Sequence, residues 1–125
     1  MVSMTTLSRG LSWVDLHFQG RDNVIASVIV ESAGGVAIID PGPTSCLESL
    51  ELGLQGRGIR WADVRHVLLT HIHLDHAGAS GTIVREHPHV TVMVHERGAK
   101  HLVDPTKLLD SATRLYGDHM DRLWG

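Results

Sequence analysis

Apolar residues gather in five short runs along the first three quarters of the chain: Ser12 to Phe18, Val24 to Glu31, Gly34 to Ile39, His66 to Leu69 and Val90 to His95. Their lengths and β-branched content predict strands. The stretches between them, such as Gln19-Gly20-Arg21-Asp22-Asn23 and Ala33-Gly34-Gly35, are turn formers. Ser32 to Gly35 reads as a hairpin turn. From Thr44 to Gln55 the period changes. Leu47, Leu50 and Leu54 recur at helical spacing, with Thr44 or Ser45 as the expected N-cap and Gly56-Arg57-Gly58 as the stop. Thr82 to His87 predicts a short helix halted by Pro88. The tail from Pro105 to Trp124 carries Leu108, Leu109, Ala112, Leu115 and Tyr116, then Met120, Leu123 and Trp124, again at helical spacing, a stripe that usually packs into a core. The expected order is three strands, helix, strand, loop, helix, strand and helical tail. No repeat or linker interrupts it, so residues 1–125 are expected to form one unit.

The loop after the fourth run carries the chemistry. Thr70-His71-Ile72-His73-Leu74-Asp75-His76-Ala77-Gly78 packs four potential metal ligands into six positions. In an extended segment residues i and i+2 point to the same side, so His71 and His73 can offer two imidazoles to one cation while Ile72 faces away. If the chain curls at an inward-turned Leu74, Asp75 and His76 reach the same cavity from the opposite side and can serve a second ion. Composition alone would generate His-x-His-x-Asp-His in roughly one such chain in two hundred, so chance explains it poorly. Imidazole with carboxylate suits zinc, admits manganese, iron or nickel, and is poorly matched to calcium or magnesium. The loop leaves the carboxyl end of a buried strand, where α/β arrangements commonly hold their functional groups rigidly.

This loop, following a buried strand, resembles the hallmark of the metallo-β-lactamase superfamily. Val36-Ala37-Ile38-Ile39-Asp40-Pro41-Gly42-Pro43 is similar to that family's earlier strand with its Asp-x-Gly turn, and the stretch His95 to Leu102 is similar to the segment after the next strand in glyoxalase II-like members. The resemblance implies an α+β fold, the αββα sandwich built from two similar halves. It also implies metal ligation by His71, His73, Asp75 and His76, with Asp40 bracing the metal loop from behind. The family's remaining ligands, a third His, a bridging Asp and a last His, come from the second half. No Gly-His-Thr or Gly-His-Ala follows residue 78. The chain is therefore expected to be the N-terminal part of a metallo-β-lactamase domain: the first βαβ half with a helical C-terminal tail.

Composition narrows the classes. A net charge of −3 provides no basic footprint for nucleic acid. The longest apolar run, Val24 to Val30, is broken by Ser27 and too short to span a membrane. The N-terminus has neither the basic nor the apolar region of a secretory signal, and a cytoplasmic location is expected. Cys46 is the single cysteine and reads as a packing residue near a helix start. If the tail and sheet present apolar faces without a covering layer, the chain should self-associate as a homo-oligomer.

Among the other histidines, His95 stands apart. It ends the Val90 to Val94 run on the edge from which the metal loop leaves if those strands are parallel, and is a candidate pocket residue. His17, His66, His87, His89, His101 and His119 read as surface or hydrogen-bonded structural residues.

A zinc held by His71, His73 and a third ligand keeps a position for water, which ionises near neutral pH and can attack an acyl carbon. Asp75 is then the candidate to orient that water or carry its proton. The resemblance implies hydrolysis of a small-molecule thioester, lactone, β-lactam or phosphoester, the glyoxalase II-like match favouring a thioester. His73 at the second ligand position argues against the di-iron electron-transfer branch, which carries an acid there. The rival expectation is a non-catalytic or weakly metal-binding half-domain that needs a second half or subunit, because zinc centres usually require three protein ligands.

Overall fold

The computed structural model describes residues 2–125. Six strands lie side by side in chain order in one sheet: β1 (Met4–Ser8), β2 (Leu11–Asp15), β3 (Ala26–Ser32), β4 (Gly35–Ile39), β5 (Val64–Leu68) and β6 (Thr91–Met93). The first four pair antiparallel, as short reversals allow, with Ser32 opposite Gly35 across the two-residue turn Ala33-Gly34. β4, β5 and β6 pair in parallel, which requires crossovers. The first crossover is α1 (Leu47–Gly56). The second contains α2 (Leu74–Ala77) and α3 (Ser80–Glu86). The tail forms α4 (Glu96–Val103), α5 (Thr106–Tyr116) and α6 (Met120–Trp124). This is the mixed α+β arrangement with a βαβ unit that the resemblance implied.

Strand alternation sorts the sheet into two faces. Val14, Ile29, Ile38 and Val67 point to one side and join Leu50 and Leu54 of α1 and Ile83 of α3 in a closed core. On the other side Trp13, Val28, Ile39 and Leu68 form a continuous cross-strand row, all half-buried, ending at Met93, which is 53% exposed. The helices therefore cover one face of the sheet, and an apolar row remains on the other.

Several elements differ from the sequence expectation. β1 is an additional edge strand at Met4–Ser8, where exposed Thr5, Thr6 and Leu7 provide no alternating signal. The expected Ser12 to Phe18 strand stops at Asp15, because His17 adopts a left-handed backbone (φ 49°) and Phe18–Gly20 form a 3-10 turn. Thr44–Cys46 are likewise 3-10, and α1 starts at Leu47. Neither expected cap is made locally. The Thr44 hydroxyl donates instead to the Gly78 carbonyl (3.3 Å) and the Ser45 hydroxyl to that of Leu123. The tail is not one helix either: Gly117, with φ 50°, closes α5 before α6. Among the described residues no helix is long and apolar enough to cross a membrane.

Candidate metal centre

β4 and β5 end side by side, and the backbone N–H of Asp40 donates to the Leu68 carbonyl at 2.9 Å. Two segments thus emerge at the same edge: Asp40-Pro41-Gly42-Pro43 from β4, and Thr70 to His73 from β5. They are fastened to each other along their length. The Gly42 N–H donates to the His76 carbonyl (3.0 Å) and the Ala79 N–H to the Gly42 carbonyl (2.9 Å). Gly78 sits so close that a Cβ there would lie 2.6 Å from the Leu74 carbonyl oxygen and 3.2 Å from Pro43 Cα. Glycine is the residue that permits this contact.

Asp40 lies at the centre of the fastening. Its backbone is left-handed (φ 53°), a conformation that Asp tolerates better than most residues, and its carbonyl accepts a hydrogen bond from the fully buried Ser27 hydroxyl at 2.7 Å. The carboxylate turns toward the loop. Oδ1 accepts the Thr70 N–H (2.8 Å), Oδ2 accepts the Thr70 hydroxyl (2.6 Å), and Oδ2 also lies 3.0 Å from His76 Nδ1.

These bonds determine the ring tautomers. An ionised carboxylate only accepts, so His76 Nδ1 carries the proton that meets Asp40. The single hydroxyl proton of Thr70 goes to Asp40, so the 3.0 Å contact between Thr70 Oγ1 and His71 Nδ1 requires that His71 Nδ1 also be the donor. Both rings consequently turn Nε2 outward, the arrangement typical of metal-binding histidines oriented by a carboxylate or hydroxyl behind them.

The rings of His71 and His76 stand 4.0 Å apart between centroids, and ligand atoms of Asp40, His71 and His76 all fall within 4.8 Å of one another. His73 and Asp75 are placed differently. His73 is exposed, its ring edge-on to His71 with 5.2 Å between centroids, and its carbonyl accepts the His76 and Ala77 N–H groups at the start of α2. Asp75 Oδ2 lies 3.2 Å from His76 Nε2. That carboxylate oxygen and the outward ring nitrogen are close enough to meet one cation. The donor set, imidazole nitrogens with a carboxylate oxygen, fits a borderline metal such as zinc. Ile72 points away from the imidazoles and packs at Gly98 of α4, as the alternation predicted.

His95 leaves β6 on the same edge, but its Nδ1 accepts the Arg97 N–H (3.1 Å) as the cap of α4 and its side chain is exposed. It is used for capping. Thr70 is the residue that sequence reasoning passed over, although it directly precedes the first ligand.

A second group, Asp15, His17 and Asp22, also brings three such atoms within 4.8 Å. Here the contacts are internal to a tight loop. Asp15 accepts the N–H groups of His17 (3.0 Å) and Asn23 (2.8 Å), and His17 Nδ1 pairs with Asp22 at 2.8 Å. Burial works to raise the Asp15 pKa, but these two N–H groups and the adjacent His17 outweigh it and hold the carboxyl below its ordinary value.

The family model described as metallo-beta-lactamase superfamily matches residues 20–121. The chain belongs to the metallo-β-lactamase superfamily. Members of this superfamily generally bind metal ions, and His71 and His76, clustered with Asp40 behind their rings, are candidates for that role here. Two relatives are similar in sequence. The chain is 31% identical over 80 residues to the Bacillus subtilis protein YobT, covering 64% of this chain and 33% of that one. It is 28% identical over 92 residues to a probable hydroxyacylglutathione hydrolase of Schizosaccharomyces pombe, covering 71% and 35%. Among solved structures, a Cronobacter sakazakii metallo-β-lactamase superposes with a TM-score of 0.69 at 23% identity, over 81% of this chain and 37% of that one. The subclass B3 enzyme BJP-1 of Bradyrhizobium japonicum does so with a TM-score of 0.68 at 21% identity, over 79% and 35%. The metallo-β-lactamase fold is thus shared, and this chain spans about a third of the length of these relatives.

Proposed function

We propose that this chain contributes the His-x-His-x-Asp-His part of a zinc-dependent hydrolase centre acting on a thioester, lactone or related ester. The observation that carries the reading is the bonding of Asp40 and Thr70, which turns Nε2 of His71 and of His76 outward on adjacent rings. His71 and His73 would hold one ion, and Asp75 with His76 a second; manganese, iron or nickel could replace zinc. When bound, the metal supplies Lewis acidity and lowers the pKa of a coordinated water toward neutrality.

The chain's own groups do the rest. Asp75, half-exposed beside His76, orients the attacking water, accepts its proton and returns it to the departing thiol or alcohol. Asp40 faces the loop from behind, both of its oxygens engaged by Thr70 and His76. Its work is to keep the two rings in one tautomer and one orientation. The name of the Schizosaccharomyces pombe relative describes hydrolysis of a thioester, which puts thioesters first among the acyl substrates.

The test pairs zinc content by elemental analysis with turnover of a simple acyl thioester. Bound zinc with turnover that disappears in His73→Ala supports the reading; protein that takes up no zinc and turns over nothing refutes it. The share of its relatives' length that the chain spans favours a second reading, in which it binds metal but catalyses only when another half or subunit completes the centre. Zinc uptake without turnover selects that reading.

A further inference from the structure

The apolar stripe of α5 does not disappear into the core. Leu115 is 78% exposed and Leu109 39%, while Ala112 is buried. The face formed by Leu108, Ala112, Leu115 and Tyr116 instead borders a cavity of about 330 Å³ that His73 and Asp75 also line. A second cavity, about 710 Å³, lies on the Ile72 side of the loop. Leu74, Leu108 and Trp124 are walls of both. Trp124 is held in place by rings on either side, stacked on Phe18 at 5.4 Å and edge-on to Tyr116 at 5.2 Å.

The distribution of polarity along these walls is uneven. In the smaller cavity the ionisable groups at the metal loop are His73 and Asp75, and the α5 wall is aliphatic and aromatic apart from the Ser111 hydroxyl. Among the described residues no lysine or arginine borders either cavity. A ligand with carboxylates distributed along its length, as in a peptide thiol conjugate, would find no cation there to offset its desolvation. An unbranched acyl chain would find a matching surface, and volumes of this order are those of small-molecule sites.

We propose that α5 and Trp124 form an acyl-chain pocket, so that the substrate is a neutral ester or thioester of an extended aliphatic acid, its carbonyl at His73 and Asp75 and its chain along Leu108, Ala112 and Leu115. This rests on the hydrolase reading for its chemistry, but the pocket itself can be tested without turnover. In the reaction water adds to the acyl carbon, the bond to sulfur or oxygen breaks, and the departing thiol or alcohol takes the proton; no other reactant is required.

Two measurements decide it. The first is binding of a dansylated fatty-acid methyl ester to the protein with and without zinc, followed by fluorescence and by displacement with methyl octanoate. The second is the ratio of kcat/KM for octanoyl and acetyl thioesters of one small neutral thiol. The pocket predicts zinc-independent binding of the fatty ester and a ratio of about ten or more, since each buried methylene contributes severalfold discrimination. Ala112→Phe, which fills the cavity, and Leu115→Asn, at an exposed position that tolerates a polar side chain, should each weaken binding and lower the ratio about tenfold or more. No binding of the fatty ester, or a ratio near one that neither variant moves, overturns the pocket and leaves the hydrolase reading standing. Binding that depends on α5 without turnover of either thioester supports the pocket and counts against the hydrolase reading.

Discussion

Oδ2 of Asp40 lies 3.0 Å from Nδ1 of His76, a residue 36 positions later in the chain, and the same oxygen accepts the Thr70 hydroxyl that leads to His71. One carboxylate oxygen therefore governs two imidazoles. Removing its negative charge while keeping its shape should release both. Asp40→Asn suits this purpose, because Asn also accepts the left-handed backbone at φ 53°. An amide N–H facing the ring nitrogen would let the His76 proton move to Nε2 and withdraw the lone pair. Zinc affinity, measured by competition with a chelator, should fall about 10–100-fold while the fold persists. Unchanged affinity would contradict the bracing role.

Gly78 permits the Asp40 turn and the metal loop to touch. A side chain there meets the Leu74 carbonyl and Pro43 Cα. Gly78→Val should lower stability by about 1–3 kcal/mol in urea titration, the usual cost of overpacking, and should weaken zinc binding in parallel by prising the two segments apart. A variant as stable as the parent would show that the loop relaxes freely.

The loop after β2 should be sensitive to acid. Since its pKa is depressed in the folded protein, Asp15 contributes stability that is complete above its ordinary value of 3.8 and is lost as the pH falls through the lower, folded value. The stability difference between the parent and Asp15→Asn should thus be largest near neutral pH and shrink toward about pH 3. A difference independent of pH across that range would remove Asp15 from the account.

Cys46 should be inert while the protein is folded. It is 4% exposed, and burial pushes its thiol above the ordinary value of 9.0 despite a hydrogen bond with Ser45. Iodoacetamide at about pH 8 should label it only after unfolding, because the thiolate is the reactive form. Rapid labelling of the native protein would show that the region around α1 opens.

The residues themselves already marked the candidate loop. His71, His73, Asp75 and His76 occupy consecutive alternating and then helical positions, so local geometry alone draws them toward one region. The strands from Ala26 to Ile39, the hairpin at Ser32–Gly35 and the run of leucines in α1 were legible for the same reason: a period of two or of 3.6 is a property of neighbouring residues. The edge strand Met4–Ser8 was not, because an exposed edge imposes no alternation.

What required the folded chain was every relationship between residues distant in sequence. That Asp40 would bind His76 and Thr70 depends on β4 and β5 ending side by side in parallel register. That His95 would cap α4 depends on where β6 stops, at Met93. The tail shows the same division. Its helical period was plain in the order of Leu108, Ala112, Leu115 and Tyr116, but periodicity identifies an apolar face without saying what it faces. Only the fold could turn that face toward His73 and Asp75, because a hydrophobic stripe is satisfied equally by a core, a partner or a ligand, and the choice among them is made by packing across the whole molecule.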